Sequence, residues 1–126
     1  MDEKEVRIGN YVNIKDTIFR IELQDLYYTS GDMNPVPLTE EWLFKFGFDK
    51  LREYNDGENI IIEYGKSIIV GDNSHNEKLV IIFPFNHCEI GNYRSEDAYI
   101  LNTTIDYVHQ LQNLYFALTG EELELN

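Results

Sequence analysis

The chain has 126 residues, 43% of them hydrophobic and 13% aromatic, which is enough apolar side chain for a core and too much for a disordered tail. Twenty-three acidic residues against ten Lys and Arg leave a formal charge of −13. A surface this anionic repels phosphate backbones and anionic lipid, so direct nucleic-acid binding and membrane association are disfavoured, and a basic protein or nucleoprotein complex is the partner it would attract.

The stretch from Met1 to Glu5 is charged and lacks the apolar run of a signal peptide. No stretch approaches the ~20 apolar residues that span a bilayer. One cysteine, Cys88, admits no internal disulfide. These features give the expectation of a cytoplasmic protein.

The first element is a curved hairpin. Val6 to Ile14 alternates imperfectly, Thr17 to Leu23 is rich in β-branched residues, and Lys15-Asp16 fits a two-residue turn. Tyr27, Tyr28 and Gly31 through Asn34-Pro35 to Pro37 read as an irregular connection. Thr39 then caps a helix of about two turns, with Glu40 and Glu41 in its first turn and Gly47 stopping it.

From Asn59 the pattern is β. Ile60 to Tyr64, Ser67 to Val70 and Lys78 to Phe83 are strands, with Gly65-Lys66 as a tight turn and Gly71 to Asn76 as a longer loop. His87 to Tyr93 and Ala98 to Leu101 are further strands. Connections this short exclude helical crossovers and predict an antiparallel meander.

Thr103 or Thr104 caps the last helix, which runs to about Leu118 before Gly120. Tyr107, Val108, Leu111, Leu114, Tyr115 and Leu118 fall on one arc roughly 120° wide, the face expected to cover a sheet. Ile105, His109, Gln112 and Phe116 form a second stripe beside it. No Asp, Glu, Lys or Arg occurs between Tyr107 and Gly120, in a chain that is 26% charged. Burial between a sheet and the hairpin accounts for that absence, as does a partner covering the second stripe.

The fold class is therefore α+β in a single domain, residues 1–126. It combines an antiparallel sheet of about five to seven short strands with one short helix and one long C-terminal helix.

No catalytic, metal or cofactor site emerges from the residues. His87-Cys88-Glu89 lacks the second His/Cys cluster that zinc requires, and adjacent strand residues point to opposite faces, so His87 is misplaced as a base for Cys88. His75 sits in a polar loop and His109 on the helix flank. The pairs Glu40/Glu41 and Glu121/Glu122 read as a helix start and a solvated tail, and phosphate-binding glycine loops are absent. Asp49, Glu53, Asp56, Glu58 and Glu63 form the densest central acidic run, broken by Lys50 and Arg52. As a functional surface, their carboxylates stand in for phosphates in a basic groove; as a structural one, they are a solvated loop and strand edge. Tyr27, Tyr28, Tyr54, Tyr93 and Tyr99 are contact anchors on the first reading and half-buried sheet residues on the second.

Three blocks carry a resemblance: Arg7-Ile8-Gly9-Asn10-Tyr11-Val12, the run from Pro37 to Phe48 (PLTEEWLFKFGF), and the run from Tyr107 to Leu123 (YVHQLQNLYFALTGEEL). In this order they resemble a group of small proteins from phages and mobile elements of Bacteroidetes-type bacteria, a group without an established activity. The segment from Lys50 to Asn102 lies outside the blocks and is where a specialised function is expected. The resemblance implies a host-interaction role. Anti-CRISPR inhibitors are one such class, and a basic RNA channel, as in an RNA-guided type VI effector, is a target by analogy. The expected function is thus non-enzymatic inhibition of a host nucleic-acid-handling defence complex in the bacterial cytoplasm. The alternative is a phage structural or assembly module, or a homodimer through the uncharged helix. Candidate contact residues are Asp49, Glu53, Asp56, Glu58 and Glu63 for the first, and Ile105, His109, Gln112 and Phe116 for the second.

Overall fold

The N-terminal hairpin forms around the expected turn. Lys15 and Asp16 take φ of 49° and 66°, the left-handed conformation that primed hairpin turns need at both central positions. Ile14 faces Thr17 across them. The strands are β1 (Tyr11–Ile14) and β2 (Thr17–Arg20), both shorter than expected. The structure, a computed structural model, describes residues 6–22, 33–69, 76–91 and 99–125. Tyr27, Tyr28, His75 and Tyr93 lie outside them.

Where the sequence predicts an irregular connection, β3 (Met33–Pro35) pairs with β1 to give the sheet order β2-β1-β3. Pro35 is tolerated there because β3 is an edge strand. Thr39 caps α1 (Glu40–Lys45), its Oγ1 accepting from the Trp42 amide at 3.5 Å. Gly47, at φ 85°, ends the helix: its amide donates to Phe44 O and the Phe48 amide to Leu43 O, the two bonds of a Schellman stop.

The larger sheet is an antiparallel meander, β4 (Asp49–Asn55), β5 (Ile60–Ile69), β6 (Asn76–Phe83), β7 (His87–Gly91) and β8 (Tyr99–Thr104), in that order. The described residues thus carry eight strands in two sheets, more than the sequence predicts and divided where one sheet was expected. Two corrections have local causes. Gly65-Lys66 is no turn but the interior of β5. A Cβ on Gly65 would lie 2.6 Å from Leu51 Cδ1, so the glycine serves a close approach within the sheet. β4 itself is a charged strand, exposed at every position except half-buried Leu51, and without one apolar face it shows no alternation to read.

The last helix, α2 (Val108–Thr119), has 12 residues and is not the long helix expected. Thr103 and Thr104 belong to β8, and the N-cap position of the helix is Tyr107. Gln110 Oε1 accepts from the amides of Asp106 and Tyr107, at 3.0 and 3.2 Å, and so sets the helix start. Gly120, at φ 74°, closes it as expected.

The chain forms two compact units. One comprises Met1–Leu38 and Asp106–Leu123, in which α2 packs on β1 around Val12, Ile21 and Met33. The Leu38 amide donates to Asp106 O at 2.9 Å and the Val108 amide to Val36 O at 2.8 Å, tying its two chain segments together. The other comprises Thr39–Ile105 with Glu124–Asn126. On one face of its sheet Tyr64, Leu79, Ile81, Cys88 and Ile90 are buried. Tyr64 meets the rings of Phe44 and Phe83 edge-on and donates its hydroxyl to Glu40, which places α1 over that face.

Candidate functional site

Four of the five acidic candidates stand at the open edge of the larger sheet. Asp49 and Glu53 lie on β4, and Asp56 and Glu58 lie in the turn between β4 and β5; all four are exposed. The turn is tightly pinned. Asp56 Oδ1 accepts from the amides of Glu58 and Asn59 at 2.9 and 2.8 Å, and Asn55 Oδ1 from the amide of Gly57 at 2.8 Å. Gly57 takes φ 103°, a conformation that side chains disfavour. The amide bonds from Asn59 and Glu58 hold the Asp56 carboxyl below its ordinary pKa, so the tip stays anionic to more acidic pH than a free aspartate would.

Glu63, the fifth candidate, is not part of this surface. It sits in β5, 4% exposed, and accepts from Arg52 Nε across the strand pair. A carboxylate next to three isoleucines reads as solvent-facing, yet burial is permitted because Arg52 brings the compensating charge from β4. The Arg52 guanidinium also lies 4.6 Å above the Tyr54 ring. Lys50 likewise donates to Glu53 at 2.8 Å, a contact that raises the lysine pKa. Five carboxylates against Lys50 and Arg52 therefore leave three net negative charges along this stretch. Arg52→Ala is expected to destabilise the fold by ~1–2 kcal/mol, less than a fully buried pair would cost because the Arg52 side chain is 64% exposed. Urea unfolding of Arg52→Ala and of the Arg52→Ala/Glu63→Leu double variant checks this. The double variant should recover most of the loss, since it removes the stranded charge.

The second stripe is not a stripe on one surface. Ile105 precedes α2 and is buried, and His109 and Gln112 are 1% and 0% exposed. Gln112 faces β1, with Nε2 donating to Gly9 O at 2.9 Å and Oε1 accepting from the Tyr11 amide at 2.9 Å. His109 stacks on Tyr107. Only Phe116 reaches solvent, 40% exposed, with the Arg7 guanidinium 4.5 Å from its ring centroid. The absence of charge on the first half of α2 thus reflects burial within its own unit.

Arg7 was not singled out from the sequence. It pairs with Glu122, donates from Nε to Asn113 Oδ1 at 3.1 Å, and supplies the cation over Phe116. Asn10, fully buried, donates to the same Asn113 oxygen at 2.9 Å. Arg7 and Asn10 lie at the start of the described residues, and Asn113 and Glu122 lie more than a hundred residues further on, so no local pattern joins them. Their bonds fasten the N-terminal segment to α2.

Cys88 is buried in β7, its thiol pushed up to about 12 by burial and then by the charge of Glu89. His87 is exposed, and strand alternation puts it on the opposite face of β7. The chemistry available to this thiol at neutral pH is that of a neutral, enclosed group. No protein-family model matches the chain, and neither a curated protein nor a solved structure matches it. Among the described residues, no helix is long and apolar enough to cross a membrane, and no group of three or more His, Cys, Asp or Glu could hold a metal ion.

Proposed function

We propose that the protein acts by binding, presenting the acidic β4 edge and its turn to a basic groove of a host nucleic-acid-handling complex and thereby excluding the nucleic acid. On this reading it is a phage-type inhibitor, with an RNA-guided effector as the kind of target. The observation that carries it is the preformed anionic tip: Asp56 and Asn55 fix the turn, so Asp56 and Glu58 are displayed without an ordering cost on association. Asp49 and Glu53 extend the negative edge along β4, and the overall charge of −13 steers a cationic partner toward it. Inhibition by occupancy needs no reacting group, and the enclosed, neutral Cys88 fits that.

Pull-down from host lysate at low salt identifies the partner, and RNA competition measures displacement. A variant carrying Asp49→Asn, Glu53→Gln, Asp56→Asn and Glu58→Gln is expected to bind ~30-fold more weakly at low salt, at about 0.5 kcal/mol for each rim charge. Asn at position 56 still caps the turn, so the fold is preserved. Equal affinity of variant and parent, or an affinity indifferent to salt, would defeat the reading.

A further inference from the structure

Among the described residues β4 is an edge strand of the five-stranded sheet, and the hairpin fixes which of its backbone groups point outward. The Asp56 amide donates to Asn59 O at 3.0 Å, which makes 56 and 59 a hydrogen-bonded pair. Antiparallel ladders alternate bonded and non-bonded pairs. With Asn55 opposite Ile60, Tyr54 opposite Ile61, Glu53 opposite Ile62 and Arg52 opposite Glu63, residues 54 and 52 direct N–H and C=O to β5. Glu53 and Asn55 direct theirs away from it.

We propose that this edge pairs with the same edge of a second copy, antiparallel about a two-fold axis at Tyr54, so that two five-stranded sheets become one. Outward-facing residues must meet outward-facing residues, which leaves Glu53, Tyr54 and Asn55 as possible centres. Centring on Glu53 sets that carboxylate against its own copy. Centring on Asn55 sets Glu53 against Gly57, in the turn, and the strand runs out. Centring on Tyr54 pairs Glu53 with the second copy's Asn55, and Asn55 with its Glu53, through four ladder hydrogen bonds. It also sets Arg52 opposite the second copy's Asp56, twice by symmetry, and brings Lys50 toward the side of the tip that carries Glu58. The two Tyr54 rings, each 41% exposed, meet at the axis as a non-bonded pair, the position where cross-strand side chains are closest.

Charged residues and the bulge between Lys50 and Arg52 are what protect an edge from promiscuous pairing. In this register the cations meet acids, so the same charges that turn away a foreign strand admit an identical one. The contact is smaller than a standard interface, giving a dimer with Kd on the order of 10–100 µM. The inference does not rest on the partner proposed above. Where both hold, a second copy and the basic partner compete for one edge.

Sedimentation of the full chain across a wide concentration range, at low and high salt, is expected to show a monomer–dimer equilibrium. Tyr54→Cys in a Cys88→Ala background should oxidise to a covalent dimer much faster than Ile60→Cys, which places an exposed thiol away from the axis. Glu53→Pro removes an outward N–H while sparing the β5 ladder and should weaken association at least about tenfold. A chain monomeric at the highest concentration, a dimer untouched by Glu53→Pro, or a Tyr54→Cys that oxidises no faster than Ile60→Cys overturns the proposal. The basic-partner reading is tested separately, by the pull-down and RNA competition on the unsubstituted chain at concentrations far below this Kd, where the chain is monomeric.

Discussion

Gln112→Ala is expected to lower unfolding free energy by ~3 kcal/mol, among the largest single-residue effects in the unit that holds α2. The side chain is fully buried and answers two backbone groups at once, the carbonyl of Gly9 and the amide of Tyr11, each at 2.9 Å. Truncation leaves both buried groups without this partner, at about 1–2 kcal/mol apiece, and adds a cavity where the amide stood. The substitution is helix-favouring, so propensity opposes the loss by only a few tenths of a kcal/mol. Urea unfolding measures it. A midpoint within the error of the parent would mean that the N-terminal segment is held to α2 by Arg7, Asn10 and Asn113 alone.

The second large effect is a loss of stability in alkali. Burial, reinforced by Glu89, pushes the Cys88 thiol from 9.0 to about 12. The folded state therefore keeps a proton that the unfolded state releases above pH 9. Stability from this group is complete below pH 9 and falls as pH rises toward 12, by about 1.4 kcal/mol per pH unit and at most ~4 kcal/mol in all. Tyr64 acts in the same direction above pH 10, its hydroxyl raised first by burial and then by its hydrogen bond to Glu40. Cys88→Ala removes the thiol's share, so its stability should decline less between pH 8 and 11, by roughly 3 kcal/mol. Parallel pH profiles for parent and variant would refute the assignment.

Features that depend on neighbours in sequence were legible without the structure. Thr39 and Gly47 bracket α1, and Lys15-Asp16 turns the first hairpin, because caps and tight turns are decided within a few residues. Features that depend on distant contacts were not. Gly65 looks like a turn residue until Leu51 is seen against it. Thr104 looks like a cap until β8 is seen paired along β7, with Thr104 opposite His87. Glu63 looks like surface charge until Arg52 reaches it from the next strand. The stripe containing His109 and Gln112 was legible as a stripe, but its direction was not, because a buried glutamine that bonds to backbone has the same spacing as an exposed one.

The acidic run was legible as composition and only partly as a surface. Sequence alone weighs all its carboxylates equally. The fold separates them into one buried and paired with a cation, one bonded to Lys50, one capping a turn, and two at the edge, Asp49 and Glu58. That sorting decides which substitutions should test stability and which should test association.

The smaller sheet and α2 are assembled from the two ends of the chain, with every strand of the larger sheet encoded between them. A ribosome that has delivered Ile105 has therefore supplied all of the five-stranded meander and none of α2. Until Gln112 and Asn113 emerge, the Gly9-Asn10-Tyr11 segment has no glutamine or asparagine side chain to receive it. Synthesis order thus lets the meander close early and leaves the Gly9-Asn10-Tyr11 segment waiting for α2, so that a segment translated before the meander settles after it.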